Sequence, residues 1–175
     1  MNSKIIHALV KNYRENQLNV IKQNMKVDDA HSVWFDLQTL KNFISEIESK
    51  SINGDPNMTE QDLGIRFYYA AYPQNQEWID MKAQHPDFFQ NTNITDDYAG
   101  KHTLILIPTV KKTDSNGNYL HYDFNPLDVT IFSQNHPTQP SGNVFSVNNS
   151  NLETETISLN HGSLIPPATP IVETY

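Results

Sequence analysis

Apolar residues recur at helical spacing in two stretches of the first third of the chain. Across residues 3–25 they return every three or four positions, with an interruption near Gln17, which predicts a helix that breaks near Asn16. A second stripe predicts a helix over about residues 37–49, with Asp36 as its N-cap. We expect both helices to lie on the body of the domain. The alternative for the first is a helix that binds a partner.

Strict alternation of side chains then predicts a strand over residues 64–72, after a shorter extended segment at residues 31–35. The apolar side chains of the longer strand, which we expect to pack under a helix, share one face: Ile65, Phe67, Tyr69 and Ala71. The opposite face carries the more polar set: Arg66, Tyr68 and Tyr72.

The longest apolar run is Leu104 to Ile107, between Gly100 and Pro108. A β-branched run with such boundaries is typical of a strand that is buried on both faces. We therefore expect this strand to form the centre of the sheet, with all four side chains almost wholly buried.

The remaining pattern completes the fold prediction. An Asn-Gly pair at 116–117 predicts a hairpin between strands at about 102–110 and 119–124, and residues 156–159 alternate like one more short strand. Residues 133–151 are predicted to be a long polar loop, and residues 163–175 an extended, proline-rich tail.

The predicted helices come early in the chain and the predicted strands late, which indicates an α+β fold, with a mixed or antiparallel sheet and helices mainly on one face. The length of 175 residues suits one domain, 1–175.

Composition narrows the range of partners. The formal net charge is −8, and the longest basic run is Lys111-Lys112, so we expect neither nucleic-acid binding nor attraction to an anionic membrane. The absence of cysteine excludes disulfides and thiol catalysis. The first residues lack the apolar core of a signal peptide, and no apolar run approaches the roughly 20 residues of a membrane span, which predicts a soluble, cytoplasmic protein.

The sequence lacks the common motifs of a catalytic serine, of nucleotide binding and of helical zinc binding. It contains no G-x-S-x-G, no G-x-G-x-x-G and no phosphate-binding P-loop, and its seven histidines form no H-E-x-x-H or paired helical pattern. We therefore predict no metal and no cofactor. If a metal were bound, the ligands would come from one group of residues: His121, Asp123, Asp128, His136 and His161.

The polar strand face offers one candidate binding site. Arg66, Tyr68 and Tyr72 could form a half-exposed sheet surface on which the arginine stem covers apolar atoms. They could instead form a pocket floor, where a guanidinium beside phenols would hold a carboxylate or phosphate of a small ligand. Both interpretations stay open at the level of sequence.

The second candidate is the turn Asn160-His161-Gly162, which precedes the proline pair Pro166-Pro167. A structural turn would use Asn160 to cap its own backbone and would place Gly162 at positive φ. A site loop would instead direct His161 toward a ligand.

Four segments together resemble a group of small, uncharacterised bacterial proteins whose chains close on Asn-His-Gly, a short spacer and paired prolines. They are Ser-Val-Trp-Phe-Asp-Leu at 32–37, the strand at 64–72, Lys-His-Thr-Leu-Ile-Leu-Ile-Pro-Thr at 101–109, and Asn-His-Gly-Ser-Leu-Ile-Pro-Pro at 160–167. The resemblance implies no activity, because none is established for the group. Its members often carry cysteines around the proline pair, whereas this chain has Ile165 and Ala168 nearby, so a thiol or metal role does not carry over.

These observations favour a non-catalytic binding or interaction module whose partner is a small molecule or a protein. The alternative is an enzyme of unrecognised type, such as a hydrolase, with His161 as acid or base and Arg66 as anion clamp. A pocket where these two residues converge would favour the enzyme, and a flat apolar patch would favour the module.

Overall fold

The computed structural model describes residues 1–128 and 156–168. Of the described residues, 43% are helical and 23% lie in strands, and these strands form antiparallel sheets of two and three strands. The predicted α+β class is therefore confirmed. The predicted loop at 133–151 and the end of the predicted tail, residues 169–175, lie outside the described residues.

The N-terminal helix does not break near Asn16 but continues there through a π-helical turn. Helix α1 spans Ser3–Tyr13, a π-helical turn follows at Arg14–Leu18, and helix α2 spans Asn19–Met25. The side chain of Asn2 caps the start by accepting the Lys4 N–H at 2.8 Å. A π turn holds one residue more than an α turn, so it shifts the apolar stripe around the helix.

Helix α3 spans Leu37–Gly54 and begins where Asp36 was expected to cap it. The Asp36 carboxylate accepts the Thr39 N–H at 2.9 Å, which satisfies one of the free amides of the first turn. The helix runs five residues beyond the predicted end at 49, and it buries Phe43, Ile47 and Ser51. The shorter helical elements are α4 at Asn75–Gln84, α5 at Pro86–Phe89, and 3-10 turns at Glu60–Asp62 and Asp96–Tyr98.

Among the described residues, five strands form the two sheets: β1 Ser32–Trp34, β2 Leu63–Ala71, β3 His102–Thr113, β4 Tyr119–Asp123 and β5 Ser163–Ile165. The three-stranded sheet has the order β2-β3-β4, and β1 pairs with β5 in the other sheet. The predicted tail therefore begins as a strand. The strand predicted at 156–159 is reduced to one antiparallel bridge, between Leu159 and Leu106.

The β3–β4 hairpin turns at the predicted Asn-Gly pair. Gly117 takes φ +83°, which L side chains rarely adopt. The Asp114 carboxylate accepts the N–H groups of Asn116 and Asn118 at 2.9 and 2.8 Å. These contacts fix the register that places Thr113 opposite Tyr119.

The chain divides into two compact units, and the expectation of a single domain stays a prediction. The first unit comprises Met1–Phe35, Tyr69–Leu104 and His161–Tyr175, and the second comprises Asp36–Tyr68 and Ile105–Asn160. The first unit's core is an aromatic cluster with two aliphatic members: Ala30, Tyr72, Trp78, Tyr98 and Leu164. The buried hydrophobic residues of the second unit are Phe43, Ile47, Leu106, Val110, Phe124 and Ile157.

Two burial predictions are wrong. Of the run Leu104–Ile107, only Leu106 is fully buried, at 0% exposure, while its three neighbours are half-buried. The backbone of Leu106 forms an antiparallel bridge with Leu159, so a later part of the chain covers this position. The neighbours of Leu106 keep partial contact with solvent. The face of β2 that was expected to pack under a helix is open, with Phe67 54% and Tyr69 92% exposed, so no helix of the described residues covers these two side chains.

Candidate functional site

Arg66 and Tyr68, both predicted as ligand-binding, contact one carboxylate in the second unit. Arg66 pairs with Asp123 Oδ1, and the Tyr68 hydroxyl donates to Asp123 Oδ2. The other terminal nitrogen of Arg66 donates to the His121 carbonyl at 2.8 Å. The neighbouring Tyr68 and Asp123 raise the pKa of Arg66. The guanidinium thus has protein acceptors already, which argues against its use as an anion clamp.

Tyr72 does not share the surroundings of Arg66 and Tyr68. It lies just past the end of β2 in the first unit, 4% exposed. Its ring makes edge contacts with Trp78 and Tyr98, at centroid distances of 5.8 and 5.9 Å. Tyr72 is therefore part of an aromatic core rather than of a polar strand face.

The predicted Asn160-His161-Gly162 turn crosses from the second unit to the first. The exposed His161 ring lies against Phe88 at a centroid distance of 5.0 Å. Arg66 and His161 belong to different units, and their joint site stays a prediction.

Gly162 was expected at positive φ, and this prediction is wrong. Among the described glycines, positive φ occurs at Gly100 and Gly117. A Cβ at Gly162 would lie 2.5 Å from Val33 Cγ1 and 2.6 Å from Phe35 Cζ. Glycine is needed here because the chain packs closely against those two side chains.

The residues named as metal suspects do not converge in the part of the chain that the structure describes. The Asp123 carboxylate already accepts hydrogen bonds from Arg66 and Tyr68, and His136 lies outside the described residues. Within residues 1–128 and 156–168, no group of three histidine or acidic side chains is placed to hold a metal ion.

The densest polar contacts lie instead around residues 28–31 of the first unit, which sequence reasoning left out. Asp28 forms an ion pair with Lys22 at 2.6 Å, and its backbone carbonyl accepts from the Lys101 ammonium. His31 Nδ1 lies 3.3 Å from a terminal nitrogen of Arg14. An extended segment thus binds the helical residues 14–22 on one side and the start of β3 on the other.

Between these contacts lies Asp29, a carboxylate with no solvent exposure. Oδ1 accepts the N–H groups of Ala30 and His102 at 2.8 and 2.7 Å, and Oδ2 lies 2.6 Å from His102 Nδ1. A carboxylate on Nδ1 favours a proton there, which leaves Nε2 of the neutral ring as the acceptor. The His102 side chain is 39% exposed, so a buried acid orients an imidazole that solvent can reach.

A cleft of about 510 Å³ opens beside the same segment. It is lined by six residues from the π turn, the start of α2 and the extended segment: Arg14, Glu15, Leu18, Asn19, Lys22 and His31. Three of the six come from the π turn at Arg14–Leu18. Such turns occur frequently at functional sites, because the extra residue redirects the side chains of the turn.

The charge around the cleft differs from that of the whole chain. Five basic residues stand in the range 3–26 against a single acidic one, Glu15, although the chain carries a net −8; the five are Lys4, Lys11, Arg14, Lys22 and Lys26. The hydrogen bond from Lys22 lowers the pKa of Asp28. Burial, and secondarily the charge of Asp29, raise the pKa of Tyr13, so this phenol stays protonated.

Part of this site could have been found from sequence. Counting charges along the predicted helix shows its basic excess, and the Asp28-Asp29 pair precedes a histidine. The Asp29–His102 contact joins residues 73 positions apart, so no local pattern indicates it.

Comparison with known proteins adds no assignment: no family model, no curated protein and no solved structure matches this chain. The resemblance to the bacterial group therefore stays a prediction. Among the described residues, no helix has both the length and the apolar character needed to cross a bilayer.

Proposed function

We propose that this protein is a binding module that takes a small anionic ligand in the cleft beside the π turn. The observation that carries the proposal is the pairing of two permanent cations, Arg14 and Lys22, with the His31 imidazole around a cleft of about 510 Å³. Small-molecule sites commonly enclose about 300–1,000 Å³, so the volume suits a ligand of metabolite size.

The contact that Lys22 makes with Asp28 is easily exchanged. Lys22 and Asp28 form a surface pair, with side chains 41% and 70% exposed, and such pairs contribute only about 0–1 kcal/mol. A ligand carboxylate or phosphate can replace Asp28 at little cost. Arg14 brings a planar fork of N–H donors that suits two oxygens of one anion.

This proposal keeps the class of function that the sequence favours and changes its location. The Arg66 guanidinium is paired with Asp123, whereas a terminal nitrogen of Arg14 lies 3.3 Å from His31 Nδ1, beside the cleft. A ligand anion adds a charge–charge attraction to a hydrogen bond from a guanidinium, and a carboxylate or phosphate can accept two such bonds at once.

A thermal-shift screen with inorganic phosphate, small dicarboxylates and nucleoside monophosphates tests the proposal. A ligand at about 100 times its Kd adds roughly 2.7 kcal/mol to the free energy of unfolding, which raises the melting temperature visibly. Arg14→Gln should abolish the shift. Lys4→Gln removes a cation from the same helical stretch, outside the cleft lining, and should leave the shift unchanged.

Two results would contradict the proposal. One is a screen in which no anion of these three classes raises the melting temperature. The other is a shift that Lys4→Gln reduces as much as Arg14→Gln does, since this would indicate general charge attraction rather than a built site.

A second candidate function, an enzyme using His102 as general base, is favoured by one observation. Asp29 is fully buried and lies 2.6 Å from His102 Nδ1, which is how an acid orients a catalytic imidazole. This candidate replaces His161 and Arg66 of the original enzyme hypothesis by His102 and Asp29.

Turnover of chromogenic esters provides the test. His102→Gln should abolish turnover, and Asp29→Asn should reduce it strongly, because an amide facing Nδ1 favours the wrong tautomer. Activity that both variants retain would exclude the dyad, and its role would then be to join the 28–31 segment to β3.

A further inference from the structure

Strand β2 lies at the edge of its sheet. Within residues 1–128 and 156–168, β2 has a strand neighbour on one side only, and it spans nine residues, Leu63–Ala71. Its apolar face carries Phe67 and Tyr69, which are 54% and 92% exposed, and Tyr68 on the other face is 41% exposed. Long edge strands with exposed apolar side chains are rare without a partner, because they present free backbone donors and acceptors.

The usual protections of an edge are missing from this strand. It contains no proline and no lysine, and its one charged residue, Arg66, is paired with Asp123. Edge strands that must stay single are normally blunted by such residues or shortened. The edge at β4 is shorter, at five residues.

The backbone direction identifies the groups that face outward. Just past the end of β2, Tyr72 N–H donates to the carbonyl of Lys101, the residue before β3, and backbone groups alternate sides along a strand. Even-numbered residues of β2 therefore direct their N–H and C=O groups toward β3. Ile65, Phe67 and Tyr69 direct theirs to the open edge.

We propose that β2 pairs with β2 of a second copy of this chain, antiparallel and centred on Phe67. In this register Phe67 faces its own counterpart, Ile65 faces Tyr69 of the second copy, and Arg66 faces Tyr68 of the second copy. All three outward-facing residues then join backbone hydrogen-bonded pairs, as an antiparallel ladder requires.

The sequence of β2 is self-complementary in this register. Its single charge, Arg66, never faces itself and is paired with Asp123 of its own chain, so no like-charge pair opposes the contact. Apolar side chains from both copies join on one face: Ile65, Phe67 and Tyr69 of each. A two-fold contact of this kind closes on itself and produces a dimer rather than a fibre.

Sedimentation velocity at rising protein concentration measures the association. We expect the wild-type sedimentation coefficient to increase with concentration, because a contact of one strand pair is small and therefore weak. Tyr69→Lys should remain monomeric, and since this side chain is 92% exposed the substitution leaves the packing intact. The control Leu120→Lys, at a residue 42% exposed on the other edge strand, should associate like the wild type.

The cysteine-free chain allows a test of the register itself. With an added oxidant, Phe67→Cys should form a disulfide-linked dimer, since Cα atoms facing each other across a hydrogen-bonded pair lie about 5.5 Å apart, within disulfide range. Ile65→Cys should not, because its counterpart would lie four residues along the strand, roughly 13 Å away. A monomer at all concentrations, association that Tyr69→Lys does not weaken, or equal cross-linking of the two cysteine variants would each overturn the proposal.

Discussion

The imidazole Nδ1 of His102 lies 2.6 Å from Oδ2 of Asp29, a carboxylate without solvent exposure. The other oxygen of the same carboxylate accepts the backbone N–H groups of Ala30 and His102. One buried side chain thus joins the segment that contains His31, a cleft residue, to the first residue of β3. The geometry of the cleft depends on this junction.

Replacement of Asp29 by alanine should destabilise the protein by on the order of 1–3 kcal/mol. The substitution leaves the buried N–H of Ala30 and the N–H of His102 without their acceptor, and unsatisfied buried donors carry a desolvation penalty of about this size. Urea unfolding measures the change. Asp97→Ala, at an exposed carboxylate, serves as the control and should have little effect. Equal stabilities of the two variants would show that Asp29 does not join these segments.

Truncation of Leu106 should be costly because the residue has 0% exposure. Leu106→Ala should lower the free energy of unfolding by about 2–5 kcal/mol, and Leu106→Asp should prevent folding, since an unpaired buried carboxylate costs several kcal/mol more. Leu104→Ala, at a half-buried neighbour, should cost clearly less. A folded Leu106→Asp variant would exclude the proposed packing of β3.

Gly162→Ala should destabilise through crowding, by about 1–3 kcal/mol, because its Cβ would lie 2.5 Å from Val33 Cγ1. Removal of that methyl group tests the cause. The double variant with Val33→Ala should lose less unfolding free energy than the two single variants lose together, as expected for residues in contact. Strict additivity would point to another origin of the effect.

Acid should weaken one surface contact in a predictable range. Hydrogen bonds from Lys82 and then from Trp78 lower the pKa of Asp96. A lowered folded-state pKa means that this contribution is present above the ordinary carboxyl pKa of about 3.9 and is lost as the pH falls below it. Unfolding measured between about pH 5 and pH 2 should depend less on pH in Asp96→Asn than in the wild type. Identical pH profiles would contradict the assignment.

The elements that local patterns specify were predictable from the sequence. The Asp36 cap begins α3, the Asn-Gly pair turns the β3–β4 hairpin, and the interruption near Gln17 corresponds to the π turn. In each case the determining residues lie within a few positions of one another, so their physical chemistry is readable without the fold.

The errors concern contacts between distant residues. Alternation in β2 identifies two faces, but it does not reveal that β2 is an edge strand whose apolar face stays open. Likewise, Gly162 suggested a turn with positive φ, whereas its true constraint is the close approach of Phe35, more than a hundred residues earlier. The pairing of Arg66 with Asp123, 57 positions away, was equally invisible, and it redirects the search for a site to Arg14.

Isothermal titration with inorganic phosphate decides whether the cleft at Arg14, Lys22 and His31 binds a small anion. We expect saturable binding with one site per chain for the wild type and for Lys4→Gln. Arg14→Gln should weaken the affinity at least about tenfold, the equivalent of one charge-assisted hydrogen bond of roughly 1.4 kcal/mol or more. Saturable phosphate binding that is unchanged in Arg14→Gln, or no phosphate binding by the wild type, would contradict the account.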